Sequence, residues 1–224
     1  MLASLILAAA TASAPFPAAG TYRYSATLNG QPAGHWTLNV KAGSDGTEID
    51  EDSVAIFMGV QMTAKAALVL GPDFSPVKYE GHYSAAGLNP IVSVAATPNG
   101  VTVTSSQAPP AKNLALVPNT RHLVIIDPGL AAGLFALPAQ LAAWREDSVT
   151  WVTPISAEAA SLATQSNAPS APPGGVPPND VAISMVGTSS SGRIPVTIWY
   201  DPSTMVPDQI VVPSQNAILT RERS

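Results

Sequence analysis

DPGLAAGLFALPAQLAAW, residues 127–144, is the stretch of this 224-residue chain whose large apolar side chains recur three and four apart. Leu130, Leu134, Leu137, Leu141 and Trp144 form one stripe of a helix. Its other faces carry Ala131, Ala132, Gly133, Phe135, Ala136, Ala139, Ala142 and Ala143, with Gln140 the only polar side chain. A helix that is apolar nearly all round has no face to offer water, so it must be enclosed. Enclosure by lipid is disfavoured by Pro138, by Gln140 and by having only about five strongly apolar side chains, each worth roughly 0.3–0.6 kcal/mol on insertion. No integral membrane span is therefore expected in the mature chain. Asp127 and Pro128 supply an acceptor and a φ-restricted residue at the start, which predicts a helix over 128–144, loosened at Pro138 where a backbone donor is missing. Burying five stripe residues at about 2 kcal/mol each gives on the order of 10 kcal/mol, as much as the net stability of a domain.

The material that encloses it reads as strands. Tyr22, Tyr24, Ala26 and Leu28 share one face of an extended segment, and Trp36, Leu38 and Val40 repeat the alternation. Asn29-Gly30, Asp45-Gly46 and Asn99-Gly100 are hairpin turns, so neighbouring strands should be antiparallel. Further strands are expected at 48–57, 60–70, 77–84, 91–96, 101–105, 122–126, 148–153, 181–187, 194–200, 208–213 and 216–221. Ser156 to Gln165 reads as a short helix capped by Ser156 or as a loop. The Pro- and Gly-rich segment 167–179 reads as a surface loop. The expected fold is mainly β, a curved antiparallel sheet or half-barrel wrapped around one apolar helix, in a single domain over 20–224.

Composition narrows the function classes. With 46% hydrophobic and 11% charged residues the chain is not disordered. A formal charge of −5 and ten scattered Lys and Arg argue against nucleic acid and anionic membrane surfaces as partners. There is no cysteine for a disulfide, a lipid anchor or thiolate chemistry. Leu2 to Ala10 followed by small residues has the pattern of a secretory signal, with cleavage after Ala12 favoured over cleavage before Pro15. Residues 1–12 are accordingly expected to be a signal peptide and the mature protein to be periplasmic or secreted.

The chemistry-bearing constellations are weak. Ser75-Pro76-Val77-Lys78 fits S-x-x-K, but Pro76 and the residues after it favour a turn entering a strand. Gly187 to Gly192 lacks the spacing of a nucleophile elbow and reads as a hairpin loop. Glu80 and His82 share a strand face, a pair too small to hold a metal. Asp50-Glu51-Asp52 sends Glu51 to the opposite face from its neighbours and reads as a solvated strand rather than a calcium loop. Arg121-His122 near Asp127 reads equally as an acid-base cluster or as a solvated edge. No catalytic residue, metal ligand set or cofactor cradle is assigned, and the protein is expected not to be an enzyme.

Gly20-Thr21-Tyr22-x-Tyr24, Leu28-Asn29-Gly30-x-x-x-Gly34, Ile125-Ile126-Asp127 before the Leu/Ala helix, Val152-x-Pro154, and Ile210-Val211-Val212-Pro213-Ser214-Gln215 before Arg221 together resemble an uncharacterised family of exported bacterial β-proteins. That family is similar in outline to periplasmic lipoprotein carriers. The resemblance implies a half-barrel and an envelope role, and transfers no catalytic residue. The expected function is binding of a lipid or other apolar or amphipathic molecule between sheet and helix, lined by Phe57, Met58, Met62, Leu134, Phe135 and Trp144. The alternative is a structural module that holds an envelope protein through its sheet edge and loops.

Overall fold

The structure is a computed structural model that describes residues 15–57, 59–127, 129–189 and 192–223. The expected signal peptide and its cleavage site lie outside them. Among the described residues, fifteen strands form one sheet: β1 (Gly20–Leu28), β2 (Gln31–Gly43), β3 (Gly46–Phe57), β4 (Val60–Leu70), β5 (Pro76–Ala85), β6 (Ile91–Thr97), β7 (Gly100–Ser105), β8 (Lys112–Ala115), β9 (Leu123–Ile125), β10 (Ser148–Thr153), β11 (Glu158–Thr164), β12 (Val181–Ser189), β13 (Gly192–Tyr200), β14 (Pro207–Val212) and β15 (Ala217–Arg221). Their spatial order is β8-β7-β6-β5-β4-β3-β2-β1-β15-β14-β13-β12-β11-β10-β9. The chain runs outward from β1 to β8, crosses to the opposite edge at β9, and runs back inward to β15 beside β1. Every pairing is antiparallel except β9 with β10. That exception follows from the connection, since the helix α1 (Ala132–Trp144) lies between these two strands in sequence and brings the chain back in the same direction.

The sheet curls around α1 without closing into a barrel. Ala132 through Leu141 are all buried. Phe135 packs against Tyr22 and Tyr24 of β1, with ring centroids 5.0 and 6.5 Å apart. The inner face of the sheet is apolar under the helix: Leu38, Val40, Ile49, Leu68, Leu70, Val149, Leu162, Met185, Ile198 and Ile210 are buried. Gly133 is what lets the helix approach β9, because a Cβ there would stand 1.9 Å from the Ile125 carbonyl oxygen. The helix runs through Pro138 and ends at Arg145, whose left-handed φ of 56° lets its N–H reach the Leu141 carbonyl.

Three local expectations are corrected. The helix starts at Ala132 rather than 128, because Leu130 N–H bonds to Asp127 O and turns the chain before the helix begins. Glu158–Thr164 is strand β11 rather than a short helix or loop, since β10 and β12 supply hydrogen-bonding partners on both sides that outweigh the helix preference of its alanines and leucine. Strand β8 lies in a stretch where alternation gave no strand. At the β1–β2 turn Asn29 and Gly30 take φ of 51° and 74°, the primed-turn geometry that Asn-Gly favours.

Candidate functional site

Polar groups gather where the chain leaves β9 and enters α1. Side chains from four strands hold this connection. Glu51 of β3 accepts the N–H of Ala131 on both carboxylate oxygens, at 2.9 and 3.0 Å, and that of Ala132 at 2.7 Å. Trp36 of β2 donates its indole N–H to Gly129 O at 3.0 Å, and Trp151 of β10 donates to Ile126 O at 2.9 Å. Tyr79 of β5 donates its hydroxyl to Asp127 Oδ2 at 2.8 Å, and the Tyr83 hydroxyl bonds the same oxygen. The two phenols are themselves 2.8 Å apart. Gly81 sits between them on the inner face of β5, and a Cβ there would fall 2.7 Å from both hydroxyls. The Tyr-x-Gly-x-Tyr spacing thus leaves room for both rings to converge on one carboxyl.

Glu51 and Asp127 are each 3% exposed. Burial pushes Glu51 up to about 8, against the pull of the Ala131 and Ala132 N–H groups, with the Asp127 charge raising it further. Burial pushes Asp127 up to about 6, partly offset by the two tyrosine hydroxyls. At neutral pH Glu51 is mainly protonated and Asp127 mainly ionised. The other Asp127 oxygen, Oδ1, is buried without a hydrogen-bond partner among the described residues. Half-buried Tyr83 is the most open side chain of the cluster.

Several sequence expectations change here. Asp127 does not cap the helix; its carboxyl turns to β5, and Glu51, expected on a solvated strand, takes the capping role. Glu51 does face opposite to Asp50 and Asp52. His122 pairs with Glu146 at 3.1 Å and stacks on Trp144 at a centroid distance of 4.5 Å, so it forms no acid-base cluster with Asp127. Glu80 and His82 form an exposed pair at 2.8 Å. They border a shallow depression of about 440 Å³ on the outer face, together with Asp50, Asp52, Lys65 and Lys78. Among the described residues no three His, Asp or Glu side chains are arranged to hold a metal ion. A second acidic group lies at β14 and β15. There Asp208 meets Arg221 at 3.4 Å and Arg223 at 3.2 Å, and burial beside the Asp208 charge pushes Asp180 up to about 6.

Of the six residues expected to line a binding space, Leu134, Phe135, Trp144 and Met62 have described side chains. Leu134 and Phe135 are buried in the core, Phe135 completely. Trp144 closes the helix C-terminus, donating to Asp73 O at 2.7 Å. Met62 sits on the inner face of β4, 37% exposed. Phe57 ends β3, and Met58 lies outside the described residues. The space between helix and sheet at Leu134 and Phe135 is occupied by side chains. On β4 the inner face opens past the start of α1, where Val60 is 41% exposed beside Met62.

No family profile matches the chain, and no curated protein does. One solved structure is similar. It is a DUF1089 family protein from Pseudomonas aeruginosa, with a TM-score of 0.50 and 9% identity over 80% of this chain and 90% of that one. The likeness concerns the β-rich fold. Among the described residues no helix is long and apolar enough to cross a membrane.

The sequence singled out Asp127 but not its partners. Alternation alone put Glu51 on the apolar face with Ile49, and that buried acid was the one available signal. Tyr79 and Tyr83 gave none, since they lie 48 and 44 residues from Asp127 in sequence.

Proposed function

We propose that this protein is a non-enzymatic carrier of the bacterial envelope that binds an apolar or amphipathic molecule on the inner face of β3 and β4, beyond the start of α1. The observation that carries the proposal is the change in that face along its length. Ile49, Leu68 and Leu70 are buried under the helix, whereas Val60 and Met62 are 41% and 37% exposed. Half-buried Ala55 and Ala64 continue the apolar strip, and Tyr83 places a hydroxyl at its lower end for a polar head. A carrier role rather than catalysis is favoured because the perturbed acids are engaged internally, Glu51 by the helix N–H groups and Asp127 by two phenols.

The test is native mass spectrometry of the mature chain incubated with a C16 fatty acid and with a monoacyl phospholipid. A one-to-one adduct is expected with at least one of them, lost in Met62→Glu. No adduct with either, or an adduct indifferent to Met62→Glu, overturns the proposal. A protein-interaction module is the second reading, favoured by β8 and β9, which are the two end strands of the sheet among the described residues. A polypeptide that co-purifies from envelope extracts and is lost when β8 carries a proline would select it.

A further inference from the structure

Charge is segregated across the sheet. His35, Lys41, Lys65, Lys78 and His82 are the basic residues between 24 and 111, and all five lie on the outer face, where they pair with Glu222, Glu48, Asp52 and Glu80. The inward positions of β2 to β6 hold no Lys, Arg or His. The acids on this inner side are Glu51 and, from the connection into α1, Asp127, each 3% exposed. Burial raises Asp127 only to about 6, so at pH 7 it is a buried negative charge, and no basic side chain among the described residues offsets it. Its neighbours are phenols with one proton each. However the contacts among the Tyr79 hydroxyl, the Tyr83 hydroxyl and Asp127 Oδ2 are arranged, both protons are spent inside the cluster. Tyr83 sits opposite Ala64, one residue pair from Met62 and Ala85, and so meets the proposed guest strip with lone pairs alone. Asp127 Oδ1 adds a second acceptor that has no donor among the described residues.

We infer that the guest of the inner strip carries a protonated amine at its polar end, an inference that rests on the carrier reading above. An ammonium donates to the Tyr83 oxygen. Because that oxygen is itself bonded to Asp127, the head then stands within about 4–6 Å of the carboxylate, close enough for opposite charges to act strongly in a low-dielectric site. A head that ends in a carboxylate or phosphate meets acceptors with acceptors and brings a like charge towards Asp127. An alcohol head donates to Tyr83 but leaves the carboxylate uncompensated. The amine thus supplies the counter-ion that the inner face lacks, while Val60, Met62, Ala55 and Ala64 receive its apolar chain.

Isothermal titration calorimetry at pH 7 and about 0.15 M salt tests this with dodecylamine, dodecanol and dodecanoate, each below its micelle concentration. The amine should bind one to one and at least ~10-fold more tightly than the alcohol, with the carboxylate weaker than both. In Asp127→Asn, which keeps an acceptor for the phenols and removes the charge, the amine-to-alcohol ratio should fall to about 1. The parent protein at pH 5 gives the same readout without a substitution. There Asp127 is mainly protonated while Glu51, the other acid facing it, stays protonated, and the ratio should drop at least ~3-fold. A ratio unchanged by Asp127→Asn or by pH 5 would assign the preference to the overall charge of −5 and overturn the inference. Binding of the alcohol as tight as that of the amine, or tightest binding of the carboxylate, overturns it too and leaves the carrier reading in place. No binding of any of the three overturns both.

Discussion

Glu51 and Ala131, 80 residues apart, are joined by two hydrogen bonds from one backbone N–H to both oxygens of one carboxyl. A helix start normally finds its acceptor in the residue just before it. In this chain that residue is Ala131 itself, with no side chain to offer, and the acceptor comes from the middle of the sheet. The helix is thereby tied to β3 at its start and to the β4–β5 connection at its end, where Gln140 and Trp144 donate to Phe74 O and Asp73 O at 2.9 and 2.7 Å.

Removing the Glu51 carboxyl should separate these roles. Glu51→Ala leaves two buried N–H groups without an acceptor and opens a small void, costing on the order of 2–4 kcal/mol of unfolding free energy. Glu51→Gln resembles the protonated acid and should stay within about 1–2 kcal/mol of the parent at pH 7. Urea denaturation at that pH checks both values. Equal losses in the two variants would mean that the acceptor is unimportant.

Stability should fall as pH rises across the neutral range. Glu51 is raised from 4.5 to about 8 and Asp127 from 3.8 to about 6, so the folded chain holds protons that the unfolded chain has released. An acid raised in this way stabilises fully below its unfolded value, and that contribution is lost as pH climbs to its folded value. The slope is up to ~1.4 kcal/mol per pH unit for each group. Asp127 acts between about 4 and 6, where Asp180, raised by burial and by Asp208, adds in the same direction. Glu51 carries the dependence on to about 8. The urea midpoint should therefore decline from pH 5 to pH 8, and Glu51→Gln should flatten the part above pH 6. A midpoint that rises through this range would refute a protonated Glu51 beside an ionised Asp127.

Tyr83→Phe and Tyr79→Phe each withdraw a donor from the buried Asp127 carboxyl. Because those donors favour its ionised form, their loss should cost about 1–3 kcal/mol at pH 8 and less at pH 5, where Asp127 is mainly protonated. Denaturation at the two pH values measures the difference. A pH-independent loss would indicate a packing defect instead of a broken hydrogen bond to a charge.

Period two made most of the strands readable from the sequence, because one buried face forces alternation regardless of neighbours. β3, β4 and β10 match their expected spans to within two residues. It failed where the pattern was not written into the side chains. EAASLAT in β11 is rich in small residues and becomes a strand because β10 and β12 flank it. The apolar helix was legible from its spacing, but its first turn was not. Asp127-Pro128 resembles a cap locally, and the competing partners, Tyr79 and Tyr83, come from the opposite arm of the sheet. The clamp around residues 126–132 is assembled by curling, which joins residues that no sequence window contains. Of the expected lining, Leu134 and Phe135 are residues that fill the interior.

Gly133 is the tightest point of that filling. Its missing Cβ would stand 1.9 Å from Ile125 O, 2.9 Å from Ile125 C and 3.1 Å from Ile126 Cα, all backbone atoms of the chain that the Glu51, Trp36, Tyr79 and Trp151 clamp holds in place. Backbone cannot swing aside as a side chain tip can, so Gly133→Ala must push α1 away from β9 and loosen the packing of its neighbours Leu134 and Phe135. In an exposed helix the same change would stabilise by up to ~1 kcal/mol, so the sign of the effect is diagnostic. In this buried helix a loss of more than about 3 kcal/mol is expected, approaching that of Leu134→Asp, which places an unpaired charge in the core and should abolish cooperative unfolding or soluble expression. Thermal melts of purified Gly133→Ala decide the matter: a melting temperature at or above the parent's would mean that helix and β9 are not in contact.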